Sequence, residues 1–144
     1  MGAGAAFAGL VWRYRADYKR DVLSKLLSDI QAAADLSTDY WTSDPSKGDL
    51  EVISQCAILE ARIGGSLERL ETAIDAARPM LNRIDTLGME LPWAAFFDNM
   101  AGGQFGEPDR GPDLERAKEV QFAAAVLVRD LRVATDRKML GGRA

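Results

Sequence analysis

The spacing of apolar residues constrains the fold of this chain more than any other feature. From residue 23 onward they recur at intervals of three and four, as one face of a helix requires, and the pattern returns in two later segments. Alternating β-branched runs joined by hairpin turns, which are typical of strands, are absent from the sequence. The sequence therefore predicts an all-α protein.

Three long helices are predicted, over about 5–41, 50–77 and 112–138. The dipeptide Asp44-Pro45 ends the first, because a residue before proline is disfavoured in helical conformation. Asp49 is the expected N-cap of the second. A long helix is thus expected on each side of a short connection that contains Gly48.

A shorter helix is predicted between the second and third long ones. Pro92 can open it, since proline is tolerated in a first helical turn, and Gly102-Gly103 can close it. Long amphipathic helices with short connections pack most simply as an antiparallel bundle. The predicted fold is an antiparallel bundle of three long helices plus a short aromatic helix, with 1–22 as a membrane-proximal start of helix one and 23–144 as the bundle domain.

The second helix carries a heptad-like run from Ile63 to Ile84, which is typical of packing against another helix. Gly64 and Gly65 lie within this run, and each glycine lowers the stability of a helix by about 1 kcal/mol relative to alanine. Close approach of a neighbouring helix and a flexible point are both compatible with these glycines. Pro79 leaves two alternatives, a kinked helix or a helix that ends near Ala77.

Composition lowers the expectation of an enzyme. The chain has no histidine, so the commonest general base and transition-metal ligand is missing, and its single cysteine, Cys56, excludes an internal disulfide. Cys56 is expected to be a small buried hydrophobic residue. Residues 1–25 carry five basic and two acidic side chains, whereas the rest of the chain carries 13 basic and 20 acidic ones. An acidic body disfavours binding to nucleic acid.

The start of the chain poses the sharpest functional question. Gly2 to Trp12 is uncharged and is followed at once by a basic cluster, yet a membrane span needs about 20 apolar residues. Aromatic residues followed by arginine and lysine are typical of the cytoplasmic end of a span. The sequence therefore predicts the end of a longer membrane helix, cut short by truncation or a misplaced start codon; the alternative is that these residues extend helix one and pack on a partner chain. The predicted membrane-interface residues are Leu10, Val11, Trp12, Arg13, Tyr14, Arg15, Lys19 and Arg20.

Acidic pairs at helical spacing offer a further alternative. Glu68 and Glu71 lie three apart with Asp75 four further on, and carboxylates alone can hold magnesium. A matching second pair on the next helix is missing, and these glutamates alternate with arginines as in an ordinary solvated face. A small carboxylate-metal-dependent hydrolase is thus a disfavoured alternative, and no metal, cofactor or small-molecule substrate is predicted.

The aromatic residues of the short helix have two interpretations. Trp93, Phe96 and Phe97 recur at helical spacing, which favours a plug that packs into one end of the bundle. The same residues are the predicted partner-binding patch if they face outward.

Three short segments carry a resemblance to known proteins. LEARI at 59–63, GGQF at 102–105 and DLERA at 113–117 loosely resemble segments of small bacterial proteins of unknown function that have one N-terminal membrane helix and a helical cytoplasmic domain. The resemblance implies membrane anchoring and carries no activity, cofactor or catalytic residue.

These observations give one functional hypothesis and two alternatives. We expect a non-enzymatic, membrane-anchored helical bundle that acts in protein–protein interaction at the cytoplasmic face of a bacterial inner membrane. Its expected partners are an anionic membrane surface and either another protein or a second copy. The alternatives are a soluble, cytoplasmic adaptor or dimerisation module and the metal-dependent hydrolase.

Overall fold

The computed structural model describes the backbone of residues 3–81 and 83–141, and the side chains of residue 11 and of 13–81 and 88–136. Helix makes up 86% of the protein, and the described residues include no strand. Four helices pack together: α1 (Ala3–Thr42), α2 (Leu50–Ala77), α3 (Arg83–Ala101) and α4 (Leu114–Gly141). The predicted all-α class is confirmed.

The turn between α1 and α2 follows the sequence signals. A short 3-10 turn, Pro45–Lys47, ends at Gly48, which has a left-handed φ of 74°. The side chain of Asp49 then accepts a hydrogen bond from the backbone N–H of Glu51 at 2.9 Å, as an N-cap does. The predicted cap and the predicted bounds of the second helix are confirmed.

Pro79 ends the second helix rather than bending it. α2 stops at Ala77, and one 3-10 turn, Arg78–Met80, contains the proline. The heptad-like run that the sequence extends to Ile84 is therefore divided between two helices. Gly64 and Gly65 stay helical, and a side chain at Gly64 would meet no atom within 4 Å. Gly65 is half-buried, and a side chain there would meet only the Arg69 guanidinium at 3.6 Å, an ordinary contact, so no neighbouring helix in the described residues requires glycine at either position.

The prediction that the aromatic helix begins at Pro92 is wrong. α3 begins at Arg83 and is 19 residues long, with Pro92 inside it. A proline in a helix removes one backbone hydrogen bond and costs about 3 kcal/mol. Phe96 and Met100 in the following two turns are fully buried, and Met89 before the proline is half-buried against the core, so helix on both sides of Pro92 contributes apolar burial. The predicted end of this helix at Gly102-Gly103 is confirmed: α3 ends at Ala101 and Gly103 has a left-handed φ of 62°.

α1 packs against both α2 and α4, α3 packs along α4, and all four helices contribute buried side chains to the core. Leu26, Ile74 and Leu131 come from three different helices and line one small cavity. Farther along α1, Gln121 of α4 donates hydrogen bonds to Asp35 at 3.1 Å and to Thr38 at 2.9 Å. The apolar residues of α4 that recur at helical spacing are buried from the second turn onward, whereas Leu114, the first residue of the helix, is 58% exposed.

The packing predicts which leucines matter for stability. Leu127 is fully buried, so Leu127→Ala should lower the free energy of unfolding by about 2–5 kcal/mol through lost burial and the cavity left behind. Leu91 is 81% exposed, and Leu91→Ala should stay within about 0.5 kcal/mol of the parent. Urea unfolding followed by circular dichroism measures both, and equal effects of the two substitutions would contradict the described core.

Candidate functional site

The N-terminal part of α1 extends beyond the bundle. α1 has 40 residues, about 60 Å, against 28 residues, about 42 Å, for α2 and for α4. The described side chains of Val11 and residues 13–21 are all exposed, Val22 is half-buried, and the first buried one is Leu26. We call residues 11–22 the overhang. Most helices in proteins depend on packing of an apolar face. In the overhang, the side chains of residues 13–21 are exposed instead of packed.

Most of the predicted membrane-interface residues lie on this overhang. Val11 is 36% exposed and Tyr14 is 75% exposed, and the four cationic side chains are exposed as well. The side chains of Leu10 and Trp12 lie outside the described residues. None of the helices, over the residues that the structure describes, is both long enough and apolar enough to cross a bilayer.

Charged and apolar side chains are sorted around the overhang. Val11, Tyr14, Tyr18 and Val22 follow one another at intervals of three, four and four, so at about 3.6 residues per turn they form one stripe. We call this set the apolar stripe.

Two pairs of charges border the apolar stripe. Arg15 and Lys19 lie along one edge, and Asp17 and Asp21 lie along the opposite edge, each pair roughly 60–100° from its centre. None of these four side chains forms an ion pair with another described residue. The overhang therefore presents one basic edge and one acidic edge, both free to meet charges outside the chain.

A groove on the body of the protein is the second exposed feature. It lies between α1 and α2, has a volume of about 630 Å³, and is open to solvent. Arg62 and Arg69 stand on its α2 side with Gly65 between them, and Ile58 in its wall is 57% exposed. Arg69 donates a hydrogen bond to the Ser66 hydroxyl at 2.9 Å, and Arg62 has no partner among the described residues. On the α1 side the groove is lined by Asp29, which pairs with Lys25 at 3.0 Å, so the two arginines without a described carboxylate partner make its α2 side a basic strip.

The predicted partner-binding aromatics are mostly packed against one another. Phe96 is fully buried, so the partner-binding prediction is corrected at this position: its ring has no surface for a partner to touch. Trp93 and Phe97 are half-buried, and their ring centroids are 5.0 Å apart in an edge-to-face arrangement. Trp93 also lines an apolar cavity of about 40 Å³ at the end of the bundle where the overhang emerges.

A buried arginine, which sequence reasoning missed, organises the opposite end of the bundle. Arg110 lies in the loop before α4, is only 2% exposed, and forms no ion pair with a described residue. Its guanidinium donates hydrogen bonds to the carbonyl of Tyr40 at 2.6 Å and to that of Ser43 at 3.2 Å. These carbonyls stand at the C-terminus of α1, where the helix dipole places partial negative charge. Arg110 therefore caps α1.

Aromatic rings complete the surroundings of this arginine. Its guanidinium carbon lies 3.8 Å from the centroid of the Tyr40 ring, within cation–π range. The Nη2 atom is also 3.6 Å from the sulfur of Cys56, which is buried as predicted. The Nε atom finds no acceptor within the described part of the chain. A cation enclosed in this way is held by carbonyl dipoles and a ring face instead of by a carboxylate.

The Tyr40 hydroxyl links three parts of the structure. It donates to a carboxylate oxygen of Glu60 at 2.9 Å and accepts from the backbone N–H of Gly106 at 2.9 Å. Burial raises the pKa of the Tyr40 phenol above its ordinary value, against the opposing effect of the Gly106 hydrogen bond. For this end of the bundle the sequence predicts the end of α1 at Asp44-Pro45 and the N-cap at Asp49, but it does not predict the buried arginine.

The acidic pairs do not come together into a metal site. Among the described side chains, no group of three or more cysteine, aspartate or glutamate residues is placed to hold an ion. Asp75 instead pairs with Arg78 at 3.1 Å on the exposed end of α2.

Comparison with protein-family models, with curated proteins and with solved structures gives no match for this chain.

Removing the Tyr40 hydroxyl should destabilise the protein. Tyr40→Phe deprives Glu60 of a donor and Gly106 of an acceptor, so we expect the free energy of unfolding to fall by about 1–3 kcal/mol. Tyr18→Phe is the matched control, because Tyr18 is 56% exposed and its hydroxyl has no partner among the described residues. Chemical unfolding of both variants measures the difference, and an equal loss in the control would exclude a specific role for the Tyr40 hydroxyl.

The raised pKa of Tyr40 predicts a loss of stability at alkaline pH. An unfolded tyrosine ionises near pH 10, whereas the folded protein holds the Tyr40 proton to higher pH. The stabilisation is therefore complete below about pH 10 and is lost as the pH rises through the folded pKa. Urea unfolding between about pH 9 and about pH 11.5 should show a steeper decline for the parent than for Tyr40→Phe. Parallel declines would mean that Tyr40 does not contribute.

Proposed function

We propose that the protein is a non-enzymatic helical bundle that acts in protein–protein interaction at the cytoplasmic face of a bacterial membrane. In this proposal the N-terminal part of α1 attaches the bundle to the membrane surface. The observation that carries it is the exposed overhang, where Arg13, Arg15, Lys19 and Arg20 form no ion pair with any described residue. We propose Leu10, Val11 and Trp12 as the residues that meet the lipid interface.

The charge distribution supports this orientation. Each cationic side chain near an anionic surface contributes on the order of 1 kcal/mol. The body carries most of the acidic side chains of the chain and is repelled by the same surface. The overhang would therefore point toward the lipid, with the body held away from it.

The acidic edge of the overhang favours contact through the end of α1 over contact along its side. A helix that lies flat on an anionic surface with its apolar stripe toward the lipid would bring the acidic edge, Asp17 and Asp21, close to the headgroups. Approach by the end of the helix brings Arg13 and Arg15 nearest to the headgroups, because both precede Asp17 and Asp21 in the chain. Lys19 and Arg20 then lie at about the same depth as the aspartates.

We further propose that the long helices form an antiparallel bundle. Leu26, in the middle of α1, lines the same cavity as Ile74, which is late in α2. Tyr40, near the end of α1, donates a hydrogen bond to Glu60, which is nearer the start of α2. On α4, Leu131 lies beside Leu26, and the backbone of Asp113 donates to the carbonyl of Trp41 at 2.7 Å. Both sets of contacts support α2 and α4 running opposite to α1, which places the overhang at one end and the loops at the other.

The groove favours the second candidate, a soluble adaptor. Arg62 and Arg69 lie seven residues apart on α2 and border an open groove with apolar walls. Such a strip suits a partner segment that carries carboxylates beside an apolar face. An adaptor of this kind would use the groove without lipid.

Vesicle flotation tests the membrane proposal. The full chain should float with vesicles that contain phosphatidylglycerol and should float poorly with phosphatidylcholine alone. Replacing Arg13, Arg15, Lys19 and Arg20 by glutamate should lower recovery about tenfold or more, because four attractive side chains become repulsive.

A charge-matched control separates position from net charge. The control replaces Lys47, Lys118, Arg129 and Arg132 by glutamate, all of them exposed on the body. It should retain most of the parent's flotation. Equal recovery of the parent from both vesicle types, or equal loss in both variants, would reject the membrane proposal and leave the soluble adaptor.

A further inference from the structure

The sorted charges beside the apolar stripe suit a second copy of the same helix. Val11, Tyr14 and Tyr18 of the stripe are exposed, and burial of such an apolar face against another surface stabilises a helix in water. The two edges have opposite charge, with Arg15 and Lys19 on one and Asp17 and Asp21 on the other. Because the two edges carry opposite charge, the basic edge of one copy can pair with the acidic edge of another.

We propose that two copies of this protein pair in parallel through their overhangs, stripe against stripe. When two identical helices are related by a two-fold axis parallel to them, the left edge of one faces the right edge of the other. The basic edge of each copy then meets the acidic edge of its partner, twice in the dimer. We call the line of contact between the two stripes the seam. Both tyrosines of the stripe lie on it, where aromatic rings contribute large contact areas.

The same charges exclude antiparallel pairing. In that arrangement the two-fold axis is perpendicular to the helices, and each edge faces its own copy. Arg15 and Lys19 would then meet the arginine and lysine of the other chain, and the aspartates would meet aspartates. Like charges at a seam cost free energy and suppress the wrong partner arrangement.

The geometry also sets the length and strength of the seam. The stripe spans about 18 Å at 1.5 Å per residue, and its spacing of three, four and four repeats over eleven residues, which suits straight or slightly right-handed pairing. From Leu26 onward α1 packs against α2, since Leu26 and Ala77 line the same cavity. The paired helices therefore diverge below Val22. A short seam predicts a weak, reversible dimer, not a permanent one.

This pairing goes beyond the proposed membrane attachment and does not depend on it. A parallel pair brings both N-terminal ends to the same side, so one membrane surface could receive both overhangs.

Sedimentation of the full chain without lipid tests the pairing. The parent should show a concentration-dependent monomer–dimer equilibrium at concentrations up to about 1 mM. Two edge variants, Arg15→Asp/Lys19→Asp and Asp17→Lys/Asp21→Lys, each make both edges alike and should weaken the dimer at least about tenfold. Mixing these two variants should restore dimers, and so should combining all four changes in one chain, which exchanges the edges. A parent that stays monomeric, or edge variants that dimerise like the parent, would overturn the proposal.

Disulfide trapping determines the direction of the two helices. In a Cys56→Ala background, Val11→Cys and Val22→Cys should each form disulfide-linked homodimers, because equal positions face each other in a parallel pair. Cross-links that form only in a mixture of the two variants would indicate antiparallel pairing and contradict the proposal. Circular dichroism confirms that each variant is folded.

Flotation separates this proposal from the membrane proposal. The Asp17→Lys/Asp21→Lys variant should lose its dimer and still float with phosphatidylglycerol vesicles, since it gains positive charge at the overhang. Loss of the dimer with flotation retained supports two separate functions of the overhang, whereas a dimer that persists in this variant counts against the pairing regardless of flotation.

Discussion

The hydrogen bonds from Arg110 to the end of α1 are the interactions on which the rest of this fold depends. A buried guanidinium without a carboxylate partner is costly, and here carbonyl dipoles at a helix C-terminus and the face of Tyr40 compensate for it. The arrangement joins the loop before α4 to α1. Close by, Trp41 donates from its indole nitrogen to the carbonyls of Asn99 and Met100, both at 3.1 Å, so that α1 in turn caps α3. Orphan carbonyls of two helices are therefore satisfied at one place, by side chains from other elements.

Fixing α1 at its C-terminal end has a consequence at its other end. Among the described side chains, those of α1 pack against the core from Leu23 onward, and α2 and α4 are each a dozen residues shorter than α1. At the C-terminal end of α1, side-chain hydrogen bonds of Tyr40 and Arg110 join the loops to the helix. Toward the other end of the bundle lies the small cavity that Leu26, Trp93 and Leu131 line together with Arg78 and Glu90. Polar contacts thus fix the C-terminal end of α1, whereas the described side chains of the overhang form no ion pair with another described residue.

The parts of this structure that sequence predicts are those governed by local rules. The bounds of α2 follow from the cap at Asp49 and from Pro79, and the buried faces of α1 and α4 follow from spacing alone. The start of α3 is not predicted, because proline's local preference for a first turn takes no account of packing before it, such as that of Met89 against the core. The role of Arg110 is not predicted either. Its partners at Tyr40, Ser43 and Cys56 are 54 or more residues away in the chain, and no periodic pattern indicates that a loop residue is buried. For the overhang, sequence predicts the basic cluster, while the exposure of the whole segment emerges only when the lengths of the packed helices are known.

The order of charges around the overhang constrains function more than its net charge does. A segment evolved only to lie on an anionic surface gains from cations on both borders of its apolar stripe, because each adds attraction to headgroups. Asp17 and Asp21 occupy one whole border instead, where they oppose such contact. A basic border and an acidic border both gain favourable contacts only where the basic one meets acidic groups and the acidic one meets basic groups. A parallel copy of the same helix presents its charges in that order by symmetry. In the two proposals Arg15 and Lys19 serve both membrane contact and self-pairing, whereas Asp17, Asp21 and the apolar stripe serve the pairing alone.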